Sequence, residues 1–129
     1  MRVLADTNLF VKFYRRQPSP AVVEASLESA DAERFVSPVS VIEIYRLWQA
    51  RRLLMDPEAW RATALESWTV LPITVPIARQ SVLWSWSHKD PADRILAATA
   101  LVEHIELWHT DTLLKKLRGF PQRYFTNKK

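Results

Sequence analysis

The chain has 129 residues, of which 48% are hydrophobic and 25% charged, the balance of an ordinary globular protein rather than a disordered or fibrous one. This length predicts one domain with a single core, spanning residues 1–129. Cysteine is absent, which excludes disulfides, thiolate catalysis and zinc-cysteine sites. The formal net charge of +4 permits nucleic-acid binding without requiring it.

The sequence has no feature of a membrane or secreted protein. No apolar run approaches the roughly 18 residues that a transmembrane helix needs. Asp6 interrupts the N-terminal stretch before a signal-peptide core can form. We therefore expect a cytoplasmic protein without a membrane partner.

Prolines and capping residues divide the chain into short strands and helices. In chain order, the sequence predicts a strand at 2–5, helices at about 7–14 and 21–30, a strand at 35–36, helices at about 38–54 and 57–68, a strand at 69–73, helices at about 75–86 and 91–102, a strand at 105–109, a short helix at 111–117 and a strand at 124–125. Pro72 favours an edge position or an early end for its strand. The alternation predicts an α/β fold with a parallel sheet covered on both faces.

Glycine is almost absent, since Gly119 is the only one. The phosphate-binding loops of Rossmann and P-loop proteins need several glycines, so both kinds of nucleotide site are excluded. Parallel sheets bind ligands at the C-terminal ends of their strands. The residues that follow the predicted strands are therefore the candidates for chemistry.

Asp6 and Glu43 are the first two acids in suggestive positions. Asp6 follows a strand and precedes a helix, so it either caps that helix or projects into a pocket at the strand end. Glu43 lies in an apolar helix segment, where an unpaired buried carboxylate is costly. It needs a bound cation, a salt bridge to a buried arginine, or a narrow exposed strip.

Two more acids begin the helix predicted from residue 91. Asp90 precedes a proline and matches an N-cap. Asp93 lies in the first turn, where a negative charge interacts favourably with the helix dipole. Asp93 can also point past the helix end into a pocket at the strand ends. Arg94 is expected to pair with a neighbouring acid or to contact phosphate.

Asp111 repeats the arrangement of Asp6, because it follows the strand at 105–109 and precedes a short helix. It too is either an N-cap or a ligand. His109 beside it is a candidate for metal or phosphate binding, with a structural role as the alternative.

Four acids are expected on the same side of the sheet: Asp6, Glu43, Asp93 and Asp111. Two carboxylates about 4 Å apart repel by roughly 1 kcal/mol in water and by roughly 4 kcal/mol at an effective dielectric of 20. A divalent cation would remove that repulsion, and oxygen ligands select Mg²⁺ or Mn²⁺ over zinc. The sequence therefore favours a metal site.

The chain resembles the PIN-domain family, and more narrowly the VapC-type toxin ribonucleases of toxin–antitoxin pairs. Four segments carry the resemblance, in the family's order and spacing and across almost the whole chain: VLADTN at 3–8, SPVSVIEI at 37–44, HKDPADRILAA at 88–98 and LWHTD at 107–111. Two positions depart from the family pattern. Ala92 stands where a large apolar residue is common, and His109 where a small hydroxyl residue is common.

The resemblance assigns roles to residues at the matching positions. It implies that the four acids Asp6, Glu43, Asp93 and Asp111 bind the metal and carry the catalysis, with Asp90 in support. Thr7 and Asn8 are implied as polar neighbours, and we expect them, with Arg94 and His109, to contact the substrate. The implied fold is a three-layer α/β/α sandwich with a short central parallel sheet.

The function implied is that of a Mg²⁺- or Mn²⁺-dependent endoribonuclease, the toxin component of a type II toxin–antitoxin system. Its implied partners are the RNA substrate, a small cognate antitoxin and a second copy of the chain in a homodimer. Two alternatives stay open: a non-toxin PIN nuclease in RNA processing, and a non-catalytic Mg²⁺-binding signalling or RNA-binding module.

Six tryptophans are more than a core of this size needs, although core packing accounts for most of them. Trp84 and Trp86 are predicted on opposite sides of one helix, so one of the two is expected to be partly exposed. An exposed tryptophan would suit contacts with a protein partner.

Overall fold

The computed structural model describes residues 1–15, 27–52, 56–58, 61 and 67–126. The helices and strands within these ranges are β1 (Arg2–Ala5), α1 (Thr7–Arg15), β2 (Glu33–Val36), α2 (Pro38–Gln49), β3 (Thr69–Val70), α3 (Val75–Leu83), α4 (Pro91–Glu103), β4 (Glu106–His109), α5 (Thr112–Lys115) and β5 (Gln122–Tyr124). No helix in the described part of the chain is both long and apolar enough to cross a membrane.

The five described strands form one sheet in the order β3-β2-β1-β4-β5, and every pairing is parallel. Leu4 in β1 pairs with Phe35 on one side and with Leu107 on the other. β3 lies at one edge, the position that Pro72 predicts. The α/β class with a parallel central sheet is confirmed.

The side chains of β1 alternate between the two faces of the sheet and contribute to a hydrophobic core on each face. Val3 and Ala5 pack with Phe10 of α1 and Ile44 of α2, in a cluster that Trp68 also joins. On the other face the buried residues come from β1, β2, β4 and the helices that cover them: Leu4, Phe35, Val39, Leu96, Ala100, Ile105, Leu107 and Leu114. Since a strand's side chains alternate between faces, a short apolar strand supplies two cores and gives three layers.

Side-chain caps begin three of the helices. Ser37 accepts a hydrogen bond from the Val39 amide at 3.1 Å, and Thr74 accepts one from Ile77 at 3.5 Å. Asp90 caps α4 through its Oδ1, which accepts from Ala92 at 2.9 Å. A proline follows each cap within two positions, where its missing N–H costs nothing.

Several element boundaries differ from the prediction. The helix expected to reach residue 54 ends at Gln49, because Arg51 adopts a left-handed backbone conformation at φ 58°. The strands expected at 35–36 and 69–73 are Glu33–Val36 and Thr69–Val70. The helices predicted at 21–30 and 57–68 fall largely outside the described residues.

Trp84 and Trp86 do not lie on opposite sides of a helix, so the predicted placement is wrong, although both side chains are partly exposed. α3 ends at Leu83, and Trp84 is extended. The two indole rings stack with their centroids 4.1 Å apart, and Phe120 packs edge-on against both. Gly119 lies under this pair at φ 105°, where an added Cβ would meet Trp84 Nε1 at 2.9 Å.

The strand order reverses between β1 and β4. The chain moves outward from β1 through β2 to β3 on one side, and from β4 to β5 on the other. Beyond the C-terminal ends of two such neighbouring strands a crevice opens. Asp6 follows β1 and Asp111 follows β4, so both acids lie at this crevice.

Candidate metal centre

A pocket of about 300 Å³ opens at the point where the strand order reverses. Its lining combines five acids with two polar and three apolar side chains: Asp6, Glu43, Asp90, Asp93, Asp111, Thr7, Asn8, Val11, Leu47 and Leu96. All five acids singled out in the sequence are therefore brought to one pocket, although they come from four separate segments of the chain.

Asp6 is the most deeply buried of these acids, with 7% of its surface exposed. Its Oδ1 accepts from the Leu9 amide at 2.8 Å, in the manner of an N-cap, so capping and lining the pocket are not alternatives. Burial is the main cause that raises the pKa of Asp6, the Leu9 hydrogen bond lowers it, and the charges of Asp93, Asp111 and Glu43 raise it; together they bring it to about 7.

Glu43 is oriented by hydroxyl groups rather than by an arginine. The Thr7 hydroxyl hydrogen-bonds Glu43 Oε1 and lies 2.8 Å from Ser40 Oγ. Because a hydroxyl has one hydrogen, Thr7 donates to the carboxylate and Ser40 donates to Thr7. In the described part of the chain Glu43 has no ion pair, so the arginine alternative finds no support there. Ser40 was not singled out from the sequence, although its i, i+3 spacing from Glu43 places both on one helix face.

Asp93 is paired with His88, another residue to which the sequence gave no role. His88 Nε2 lies 2.8 Å from Asp93 Oδ2, and their side chains are 16% and 18% exposed. Burial raises the pKa of Asp93, the His88 hydrogen bond lowers it, and the charges of Asp90 and Asp111 raise it. His88 therefore favours the ionised form of Asp93, which is the form that binds a cation.

Replacing His88 by alanine is expected to weaken Mn²⁺ binding by about 10- to 100-fold, the usual cost of losing a residue that orients a ligand. Because the lost hydrogen bond raises the pKa of Asp93, the pH at which Mn²⁺ binding reaches half its maximum should move upward. Titration calorimetry between pH 6 and pH 8 measures both effects. His104→Asn is the control, since His104 lies at the other end of α4 in a left-handed cap that asparagine tolerates. Unchanged binding in His88→Ala would contradict this role.

Asp111 caps α5 through its Oδ1, which accepts from the Leu113 amide at 2.7 Å. Its own amide donates to His109 Nδ1 at 3.1 Å. His109 is fully buried, its Nε2 lies 2.7 Å from Gln122 Oε1, and burial lowers its pKa. Since both ring nitrogens are occupied and the ring is inaccessible, the predicted contact of His109 with substrate or metal is wrong.

Arg94 likewise does not reach the acidic pocket. It is 8% exposed, and its guanidinium donates to backbone carbonyls of four residues: Ser81, Val82, Trp84 and His88. Its charge also lies 5.4 Å from the Trp86 ring centroid. These carbonyls occupy the donors that a phosphate would need, so the predicted substrate contact is replaced by a structural role.

Thr7 and Asn8 both line the pocket, as the resemblance implies. The Thr7 hydroxyl is committed to Glu43, whereas Asn8 is exposed and its Nδ2 donates to Thr110 Oγ1 at 3.3 Å. Asn8 therefore offers its amide oxygen to a molecule that enters the pocket.

Each of the four acids uses one carboxylate oxygen in an internal hydrogen bond. The bonds join Asp6 Oδ1 to Leu9, Glu43 Oε1 to Thr7, Asp93 Oδ2 to His88, and Asp111 Oδ1 to Leu113. The second oxygen of each acid has no hydrogen-bond partner among the described residues. This donor set fits a hard divalent cation. In the same part of the chain, however, no three acidic or histidine side chains already stand at ligating distance from one point.

The sequence profile of the PIN domain matches residues 3–119. The chain therefore belongs to the PIN-domain family, whose members are nucleases that generally use divalent metals. Comparison with curated protein sequences gave no match.

Solved structures share the fold at low sequence identity. VapBC2 from Rickettsia felis, bound to a DNA fragment from its promoter, has a TM-score of 0.72 at 13% identity over 96% of this chain and 98% of that one. FitAcB from Neisseria gonorrhoeae has a TM-score of 0.62 at 24% identity over 85% and 88%. A toxin–antitoxin complex from Klebsiella pneumoniae has a TM-score of 0.61 at 21% identity over 85% and 87%.

Proposed function

We propose that the chain is a Mg²⁺- or Mn²⁺-dependent endoribonuclease and the toxin of a type II toxin–antitoxin pair. One observation carries the proposal: four acids from separate segments converge on one pocket, each with a carboxylate oxygen left over from its internal hydrogen bond. Asp6, Glu43, Asp93 and Asp111 would hold the ion through those oxygens, with Asp90 in support. Four unrelated helix caps or surface acids would not need to share a pocket.

None of the side chains that line the pocket is suited to act as the nucleophile. The Thr7 hydroxyl is committed to Glu43, and the chain has no cysteine, so water is the attacking group in the proposed reaction. A bound divalent cation activates water at neutral pH and stabilises negative charge on the phosphate. The proposed products carry a 5′-phosphate and a 3′-hydroxyl.

Basic side chains flank the acids and support a nucleic-acid substrate. Lys89 precedes Asp90 and is exposed. Lys115 lies one turn after Asp111, with its Nζ 4.6 Å from the Tyr124 ring centroid. Contacts of such residues with the RNA backbone would make binding weaken as salt rises.

The direct test is cleavage of small structured RNAs, with DNA of the same sequence alongside, in Mg²⁺ or Mn²⁺ and in chelator. We expect metal-dependent cleavage of RNA that falls by at least about 100-fold in Glu43→Gln, because loss of a ligand should cost more than loss of a residue that orients one. Glu28→Gln, an exposed acid outside the pocket, is the control. Cleavage that survives in chelator or in Glu43→Gln would contradict the proposal.

The proposed protein partners are an antitoxin and a second copy of the chain. Ile42 and Trp48 on α2 are 49% and 40% exposed, on the helix that carries Glu43, which suits an antitoxin segment beside the pocket. The outer side of α3 exposes Val75, Val82 and Leu83 at 81%, 76% and 54%, which suits a homodimer contact. The structures of similar fold are toxin–antitoxin complexes, which supports the same role.

A toxin differs from an RNA-processing PIN nuclease in its effect on growth. Expression of the chain should arrest bacterial growth, and Glu43→Gln should relieve the arrest. Co-expression of the product of a short neighbouring gene should relieve it for the unmodified chain. Normal growth during expression of active enzyme would favour the RNA-processing nuclease instead.

A further inference from the structure

We propose that His109 is a positioning residue that fixes the metal-binding acid Asp111 through a hydrogen-bonded relay from the edge strand β5. The inference rests on the proposed function only in taking Asp111 as a metal ligand. His109 does not touch the ion or the substrate. It acts through the backbone of Asp111.

The hydrogen bonds of the relay have only one consistent direction. The Asp111 amide can only donate, so His109 Nδ1 accepts from it at 3.1 Å, and a neutral ring then carries its hydrogen on Nε2. Nε2 donates to Gln122 Oε1 at 2.7 Å. The Gln122 amide nitrogen in turn donates to the Leu117 carbonyl at 2.8 Å.

The relay and the helix cap together hold Asp111 at two points. His109 fixes its backbone amide, and the Leu113 amide fixes its Oδ1 at 2.7 Å. Only the second carboxylate oxygen remains for a ligand in the pocket. The direction of that oxygen is therefore set, through His109, by Gln122 on the edge of the sheet.

The imidazole is not needed to join β4 to β5. Backbone hydrogen bonds already connect the strands, from Phe125 to the His109 carbonyl at 2.8 Å and from Leu107 to the Pro121 carbonyl at 3.1 Å. What only the ring supplies is the acceptor for the Asp111 amide. Loss of that acceptor would leave the donor unsatisfied and free Asp111 to turn.

Two substitutions of His109 each keep one of its two hydrogen bonds and remove the other. Asparagine at position 109 places its Oδ1 near the Nδ1 position but does not reach Gln122. Glutamine places its amide near the Nε2 position but has no acceptor for Asp111. Both variants lose one hydrogen bond and part of the ring volume, so their melting temperatures should fall by similar amounts. A purely structural role would therefore affect them equally.

The readout is Mn²⁺ affinity, measured by titration calorimetry or by the electron paramagnetic resonance of free Mn²⁺. We expect His109→Asn to bind within about threefold of the unmodified chain and His109→Gln to bind about 10- to 100-fold more weakly. Equal affinities in the two variants would overturn the proposal, and so would unchanged affinity in Asp111→Asn.

A second measurement separates failure of this proposal from failure of the proposed function. Hydrogen exchange of the Asp111 amide, followed by NMR without metal, should be accelerated in His109→Gln and nearly unchanged in His109→Asn. Equal exchange in both variants would overturn the relay. If the unmodified chain does not bind Mn²⁺, the metal-dependent function fails, while exchange still decides whether the relay exists. Gln122→Leu, on the half-buried strand β5, should accelerate the same exchange and tests the relay without altering the ring.

Discussion

Asp6→Asn is expected to abolish RNA cleavage and, at the same time, to make the metal-free protein more stable at pH 8. Asparagine is as good an N-cap as aspartate, so its Oδ1 can still accept from the Leu9 amide. The substitution removes the charge of a proposed metal ligand. Activity should therefore fall by more than the 10- to 100-fold that changes beside a ligand typically cost.

The gain in stability follows from the raised pKa of Asp6. Because the pKa is about 7 in the folded chain, against the 3.8 that is ordinary for an aspartate, the folded chain keeps this proton where the unfolded chain has released it. The free energy of unfolding therefore decreases as pH rises between these two pKa values, and the full penalty is present above the higher one. At about 1.4 kcal/mol per pKa unit, the penalty is at most about 4 kcal/mol.

Urea denaturation at several pH values, in chelator, measures this effect. Asp6→Asn should be about 1–4 kcal/mol more stable than the unmodified chain at pH 8 and nearly equal to it near pH 4, where Asp6 is protonated in the folded state. Added Mn²⁺ should stabilise the unmodified chain at pH 8 much more than the variant. A variant that is less stable at pH 8 would show that Asp6 is needed for the fold rather than for the site.

Arg94→Lys is expected to lower the free energy of unfolding by about 3 kcal/mol, the scale seen when a buried charged partner is removed. The guanidinium serves carbonyls of Ser81, Val82, Trp84 and His88 at once, and a lysine ammonium lacks the planar fork that this requires. Several carbonyls would be left without donors. The segment from 84 to 90 would lose the hydrogen bonds from Arg94 to the Trp84 and His88 carbonyls.

Chemical denaturation followed by tryptophan fluorescence measures this loss, because Arg94 lies over the Trp86 ring. Arg118→Lys is the matched control at an exposed arginine, and it should change stability by less than about 0.5 kcal/mol. Equal stability of the two variants would mean that water replaces the guanidinium at these carbonyls. Because His88 orients Asp93, Arg94→Lys should also weaken Mn²⁺ binding.

The architecture and the candidate site were predictable because both depend on local patterns. The alternation of strands and helices predicted the parallel sheet, and Asp90 before a proline predicted a helix start that the structure contains. Asp6 and Asp111 were found because each follows a strand, Asp93 because it lies in the first turn of a helix, and Glu43 because it lies inside an apolar helix segment. Parallel strands bring their C-terminal ends to one edge, which predicts that Asp6 and Asp111 meet, and the two helix positions were expected on the same side.

Other features depend on contacts between distant segments, which local patterns do not contain. α3 ends at Leu83 while Arg94, eleven residues later, takes up the carbonyls around its end, and periodicity alone extended the helix to Trp86. Arg94 and His109 were expected to contact substrate because charged residues beside acids suit phosphate. Both side chains are buried instead, and both form hydrogen bonds with backbone groups. The bond between His109 and Gln122 joins two strands and leaves no signal at either position.

Three of the pocket acids, Asp6, Asp90 and Asp111, hold the first turn of a helix as well as lining the pocket. Asparagine preserves that turn and removes only the charge, and a single G-to-A change converts either aspartate codon into an asparagine codon. The shortest genetic path away from the proposed activity therefore leads to a folded protein. Such a protein would keep its surfaces for partners, so an inactive copy would still occupy the proposed antitoxin.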